Sequence, residues 1–196
     1  MSGAPFSSLA AMETDRLYVR LANEEDVDAI VRFNVENREF LQPFEPLRPA
    51  GFYEERFWRS QVRQNAAELQ ADRALRLFLF PKSDPDRVIG TANYTNIQRG
   101  VGQMCTLGYS LAEEWQGKGI MFEALEASLR YVFGALNLHR VQASYMPHNR
   151  RSGRLLRRLG FVVEGYARDY ILIAGRWEDH VLTSLSNPGW EERPTS

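Results

Sequence analysis

The chain has 196 residues, 44% of them hydrophobic and 25% charged, and a formal net charge of −1. That length supports one domain with a substantial core, and the ordinary composition excludes a disordered, collagen-like or disulfide-stapled chain. The near-neutral balance excludes a global field built for nucleic acid or a membrane surface, and a single cysteine, Cys105, excludes an internal disulfide or a cysteine-held metal.

No apolar run is long enough for a transmembrane helix, and the first residues lack the basic start and apolar core of a signal peptide. Residues 1–12 read as a flexible tail, with Met12 an alternative start, and 191–196 as a second tail. One domain is expected over 13–190, in a reduced cytoplasmic setting. Residues 16–21 read as a first strand, and 24–33 as a helix with an acidic first turn. Pro43, Pro46 and Pro49 break the chain into a loop, and 54–69 form a second helix. Residues 75–80 and 88–97 form a hairpin around Ser83-Asp84-Pro85-Asp86. Residues 103–111 form the next strand, because Leu107, Tyr109 and Leu111 alternate.

A Gly-rich turn follows, Trp115-Gln116-Gly117-Lys118-Gly119-Ile120-Met121, and then an amphipathic helix. Free N–H groups at a helix start, with the macrodipole behind them, suit a pyrophosphate, and Lys118 adds a point charge. Glycine lets the backbone approach a ligand that a Cβ would block. The two common phosphate motifs are absent: Gly119 follows Gly117-Lys118 where Ser or Thr is needed, and Phe122 stands where a third Gly is needed. Residues 140–145 are a strand. Asn149 caps a short helix with Leu155, Leu156 and Leu159 on its apolar face and Gly160 as its stop. Two strands, 162–173 and 176–185, close the chain around Ala174-Gly175. The helix crossing between strands 103–111 and 140–145 implies that this pair is parallel, in an otherwise antiparallel sheet.

The Gln-Gly-Lys-Gly turn, followed about 30 residues later by Asn149-x-x-Ser152 and Leu159-Gly160-Phe161, resembles the GNAT superfamily of N-acetyltransferases. Residues 37–46, Leu107-Gly108-Tyr109-Ser110, Met121-Phe122-Glu123-Ala124-Leu125, Tyr145-Met146-Pro147-His148-Asn149 and the stretch 176–183 are similar to its RimJ/RimL branch, on the RimJ side. The likeness covers about residues 13–190. It implies an α+β (mixed α/β) fold: a central, mostly antiparallel sheet of six or seven strands, helices on both faces, and a splayed parallel pair. It also implies acetyl-CoA as co-substrate and no metal. The acceptor it implies is a protein N-terminus, as in ribosomal-protein-alanine acetylation, with no membrane or direct nucleic-acid partner and a monomer or weak homodimer.

The resemblance implies a cofactor site made of Tyr109, Leu111, Gln116, Gly117, Lys118, Gly119, Ile120, Met121, Asn149, Ser152 and Arg158. Arg158 is the one of five arginines in its helix assigned to the 3′-phosphate end. Phe44, Glu45, Asn93, Tyr94 and Tyr145 are expected at the acceptor. Ser152 is expected to protonate the leaving thiolate, or only to cap its helix. Many relatives carry a Glu where this chain has Thr106, which cannot act as a base. That leaves Asp169, favoured, then Glu45, with His148 a third option; His139 and His180 read as structural. Three functions stay open: acetylation of a protein N-terminus, acetylation of a small amine, or a ribosome-associated CoA-binding module with little catalysis. They differ in which amines, if any, are acetylated.

Overall fold

A computed structural model describes residues 11–192. Residues 1–10 and 193–196, and with them most of the two expected tails, lie outside the described residues. Met12 and Glu13 form a two-residue strand, β1, that pairs with β2 (Leu17–Arg20). The sheet therefore has eight strands rather than six or seven. The others are β3 (Leu75–Pro81), β4 (Gly90–Gln98), β5 (Met104–Leu111), β6 (Arg140–Tyr145), β7 (Val162–Ile173) and β8 (Arg176–Ser186). Their spatial order is β1-β2-β3-β4-β5-β6-β8-β7. Every neighbouring pair is antiparallel except β5 and β6.

Strand alternation divides the core into two layers. On β3, Leu75, Leu77 and Leu79 point to one face and Phe78 and Phe80 to the other, as a period of two requires. The leucine face is covered by α4 (Ile120–Gly134) and α5 (Arg150–Arg158), through Leu125, Leu129 and Leu156. The phenylalanine face is covered by α1 (Val27–Glu36) and α3 (Glu55–Gln70), through Ile30, Phe33, Trp58 and Val62. The mixed architecture with helices on both faces is thus present.

Helix starts follow their local chemistry. Asn23 opens a 3-10 turn, Glu24–Asp26, that leads into α1. Its Oδ1 accepts from the Glu25 N–H at 2.8 Å, while Asp26 accepts from the Asn23 N–H at 2.8 Å. Arg20 forks onto the same Asp26 at 2.7 and 2.8 Å, joining strand to helix. The proline-bounded stretch is more ordered than expected. A one-turn helix, α2 (Arg38–Leu41), and a 3-10 turn, Gln42–Phe44, precede the open loop. This brings Phe40, Phe44 and Glu45 round to the parallel pair.

Candidate active site

β5 and β6 pair only at their first three positions, Met104 with Arg140, Cys105 with Val141 and Thr106 with Gln142. Both strands then continue without pairing to each other, β5 to Leu111 and β6 to Tyr145. Their outer edges are occupied, since β5 bonds β4 as far as Gly90–Leu111 and β6 bonds β8 as far as Tyr145–Val181. The unsatisfied backbone groups therefore face one another across the gap. An extended ligand can complete them as an added strand would. A cleft of about 800 Å³ opens along this gap, reached by β5, the Gly-rich turn, α5 and the loop around Phe44.

One end of the cleft is made of backbone. Gly117 and Gly119 have φ of 73° and 75°, the left-handed region that a side chain disfavours. Both line the cleft. The first helical bond of α4 runs from the Glu123 N–H to the Gly119 carbonyl, so the N–H groups before it have no helical acceptor. Ile120 and Met121 bury their side chains in the core and leave only backbone at the turn. A large residue at 121 is tolerated for that reason. Gln116 is held by Arg151, whose Nη1 donates to its Oε1 at 2.8 Å. Arg151, Arg154 and Arg158, spaced three and four apart on one face of α5, line this end. Arg158 also lies 4.6 Å above the Phe122 ring. Lys118 turns its ammonium over the Trp115 ring, 5.5 Å from the centroid.

Deeper in, β5 and α5 meet through two hydroxyls. Tyr109 Oη and Ser152 Oγ are 2.7 Å apart, and both residues line the cleft. Burial pushes the Tyr109 phenol up to about 12, against the lowering effect of the Ser152 bond and with a further raising effect from Tyr145. The phenol therefore stays protonated. Asn149 caps α5, its Oδ1 accepting from the Ser152 N–H at 3.2 Å. The cap fixes the backbone that carries the hydroxyl. Tyr145 does not line the cleft. Its ring lies against Gly153, where a Cβ would come within 2.7 Å of ring carbon.

The other end is made of side chains. Phe44 is 39% exposed, and its ring stands 6.5 Å from those of Phe40 and His148. Glu45 lines the cleft and is forked by Arg48 at 2.5 and 3.1 Å. The Glu45 carbonyl accepts from the Ala174 N–H at 3.0 Å, tying this loop to the tip of the β7–β8 hairpin.

Besides Tyr145, three more of the expected acceptor and base residues are absent from the cleft lining. Tyr94 is fully buried; its hydroxyl lies 2.8 Å from Ser128 Oγ, which donates to the Ala124 carbonyl at 2.9 Å. It braces β4 against α4 and does not line the cleft. Asn93, one position back, faces the α1–α3 side opposite Gly108, above which a Cβ would meet nothing within 4 Å. Asp169 sits on an exposed bulge of β7 with φ of 47°, its N–H donating to Asp179 at 2.9 Å. It does not line the cleft, whereas Glu45 does. Of the histidines, His139 packs on Trp190 at 5.9 Å, and His180 is buried with Nδ1 3.0 Å from the Glu178 carbonyl.

Sequence reasoning missed two connections. Tyr109 was assigned to the cofactor without its tie to Ser152, although Tyr109 and Leu107 share a strand face and Ser152 sits one turn into α5. It also missed Thr14 and Arg16, whose bonds to Glu123 span more than 100 residues. Among the described residues no cluster of three His, Cys, Asp or Glu is placed to hold a metal, and no helix is long and apolar enough to cross a membrane.

A sheet splayed at one parallel pair, with a phosphate-type turn beside the gap, defines an acyl-CoA-dependent transferase. The acetyltransferase (GNAT) domain family matches residues 16–162. The chain is 47% identical over 182 residues to the [ribosomal protein uS5]-alanine N-acetyltransferase of Escherichia coli (strain K12), covering 91% of this chain and 92% of that one. It superposes on a ribosomal-protein-S5-alanine acetyltransferase from Vibrio fischeri with a TM-score of 0.89 at 37% identity, covering 93% and 100% of the two chains. It superposes on Mycobacterium smegmatis RimJ in complex with CoA-disulfide with a TM-score of 0.79 at 27% identity, covering 87% and 81%. The chain belongs to the GNAT family, on its RimJ/RimL branch, and is an N-acetyltransferase that uses acetyl-CoA.

Proposed function

We propose that this chain acetylates the N-terminal α-amine of a ribosomal protein in the cytoplasm, through a domain spanning residues 13–190. The observation that carries the acceptor is the near-full-length likeness to the uS5-alanine enzyme. The geometry supports the same chemistry. The pantetheine arm of acetyl-CoA lies in the gap between β5 and β6, and its pyrophosphate rests on the N–H groups of residues 117–121.

A protein α-amine has a pKa of about 7.7–8.0, so an appreciable fraction is neutral near pH 7. Its nitrogen attacks the thioester carbonyl carbon, and the carbonyl electron pair moves onto oxygen, where an N–H facing the gap stabilises it. The intermediate collapses with cleavage of the C–S bond. Ser152 gives its proton to the departing sulfur and takes one from Tyr109, which solvent restores. The new amide nitrogen loses its extra proton to water at the cleft mouth. Asp169 stands outside this path. The enzyme's main contribution is orientation, because a thioester needs little activation.

The test is mass spectrometry of peptides with different N-terminal residues, and of small amines, incubated with acetyl-CoA. Acetylation of the α-amine of small-residue peptides is expected. Acetylation of lysine side chains only, or of small amines with no peptide product, would refute the proposal.

A further inference from the structure

Glu123, in the first turn of α4, is bound four times by the segment before β2. Thr14 Oγ1 donates to its Oε1 at 2.5 Å, and the Arg16 N–H donates to the same oxygen at 2.8 Å. Arg16 Nε and Nη2 then reach Oε2 at 2.7 and 2.6 Å. Burial raises the carboxyl's pKa, but the Thr14 and Arg16 bonds outweigh it and the net shift is downward, so the group is ionised at neutral pH. The remaining guanidinium nitrogen, Nη1, donates to the Lys118 carbonyl at 2.9 Å. An arginine is needed for this. A guanidinium can fork onto a carboxylate and reach a third acceptor in a fixed plane, and an ammonium cannot.

The consequence lies in the peptide unit between Lys118 and Gly119. In a trans peptide the C=O and the N–H point in opposite directions, and the chain has no cis peptide bond among its described residues. Arg16 holds the Lys118 carbonyl on its own side, with Nη2 only 3.5 Å from where a Gly119 Cβ would stand. The Gly119 N–H is thereby aimed the other way. Glycine at 119 can take φ of either sign, so this peptide would otherwise flip at little steric cost. We infer that Arg16 is a positioning residue of the cofactor site: its bond to the Lys118 carbonyl fixes the Gly119 N–H toward the pyrophosphate of acetyl-CoA. Arg16 also neutralises Glu123, a carboxylate that would otherwise oppose an anion at this helix start. The inference rests on the placement of the pyrophosphate at residues 117–121 proposed above.

Acetyl-pantetheine carries the same thioester without the 3′-phosphorylated ADP, so the ratio of kcat/KM for acetyl-CoA to that for acetyl-pantetheine reports contacts to that half of the cofactor, those of the turn included. Two variants are informative. Arg16→Lys keeps a charge opposite Glu123 but loses the fork. Arg16→Gln with Glu123→Gln removes the latch without leaving a bare carboxylate. Both should lower the ratio about tenfold, the loss expected for one charge-assisted hydrogen bond. Gly119→Asp serves as the control for the underlying site. An unchanged ratio in the Arg16 variants with a collapsed ratio in Gly119→Asp would overturn the latch and leave the phosphate site standing. An unchanged ratio in Gly119→Asp would overturn the phosphate site, and the latch with it. Equal losses on both thioesters would make Arg16 a general fold residue and overturn the inference.

Discussion

The two ends of the cleft are built from different materials. The cofactor end is backbone: a turn with two left-handed glycines, the start of α4, and a capped α5, all within about one stretch of sequence from 115 to 158. The acceptor end is side chain: Phe40, Phe44 and Glu45 from one loop, His148 from another, and the β7–β8 hairpin tip that binds the Glu45 carbonyl. Backbone sites are specified by glycines and caps, which act locally. Side-chain sites depend on which distant segments converge. The first kind should fail through cofactor affinity when altered, and the second through acceptor KM.

The largest effect should come at the backbone end. Gly119→Asp places a carboxylate at a left-handed position beside N–H groups meant for an anion, and next to an arginine already engaged with Glu123. Acetyl-CoA affinity should fall at least about a hundredfold, from lost hydrogen bonds to a charged ligand added to like-charge repulsion. Calorimetric titration with acetyl-CoA checks it. Parental affinity would show that the pyrophosphate binds elsewhere.

Between the two ends lies the hydroxyl pair. Ser152→Ala should lower kcat by about ten- to a hundredfold, below the usual range for a general acid, because Tyr109 remains at the site and water can bridge. Acetyl-CoA affinity should barely change. Single-turnover measurement makes the chemical step visible. A kcat equal to the parent's would reduce Ser152 to the helix-capping role that Asn149 already fills through the Ser152 N–H.

The same contrast explains what the sequence made legible. The strands from 75 to 111 and the hairpin from 162 to 186 were readable because alternation and turn residues are local signals. So was the parallel pair, since a helix crossing forces it. The placement of Tyr94 was not readable: alternation says that it shares a face with Ala92, but only the partner Ser128, 34 positions on, reveals that the face is sealed. The bulge at Asp169 was hidden in the same way. A strand pattern does not announce where its register slips, and the slip between Ala167 and Ile171 carries Asp169 out to solvent. Nothing local to Arg16 points to Lys118.

A pH profile adds a further contrast, between substrate and enzyme. Acceptor kcat/KM should rise about tenfold per unit below pH 7 and level near pH 8, following the α-amine. On the alkaline side the acting group must be protonated. Burial holds Tyr109 at about 12, so the proton is lost only as pH climbs toward that value rather than near 10. The plateau of kcat should therefore extend to about pH 10. A fall centred near pH 9–10 would mean that Tyr109 is not shielded in the working complex.

The smallest effects belong to the acceptor end, and they decide the role of its carboxylates. Glu45 faces the cleft but is already forked by Arg48, so its charge is partly spent before any acceptor arrives. Glu45→Gln keeps the shape and the backbone bond to Ala174 while removing that charge. If Glu45 recognises a cationic acceptor, KM for the peptide should rise about three- to tenfold with kcat kept. If it holds the proton-accepting water, kcat should fall instead. Asp169→Asn leaves the N–H donated to Asp179 in place and alters only an exposed carboxylate outside the cleft. Both constants should then stay within about twofold of the parent, the usual result for an exposed position far from the chemistry. A kcat loss in Asp169→Asn larger than that in Glu45→Gln would mean that the β7–β8 hairpin closes over the acceptor and delivers Asp169 to it. The side-chain end of the cleft would then form only with the acceptor bound, whereas the backbone end is already in place.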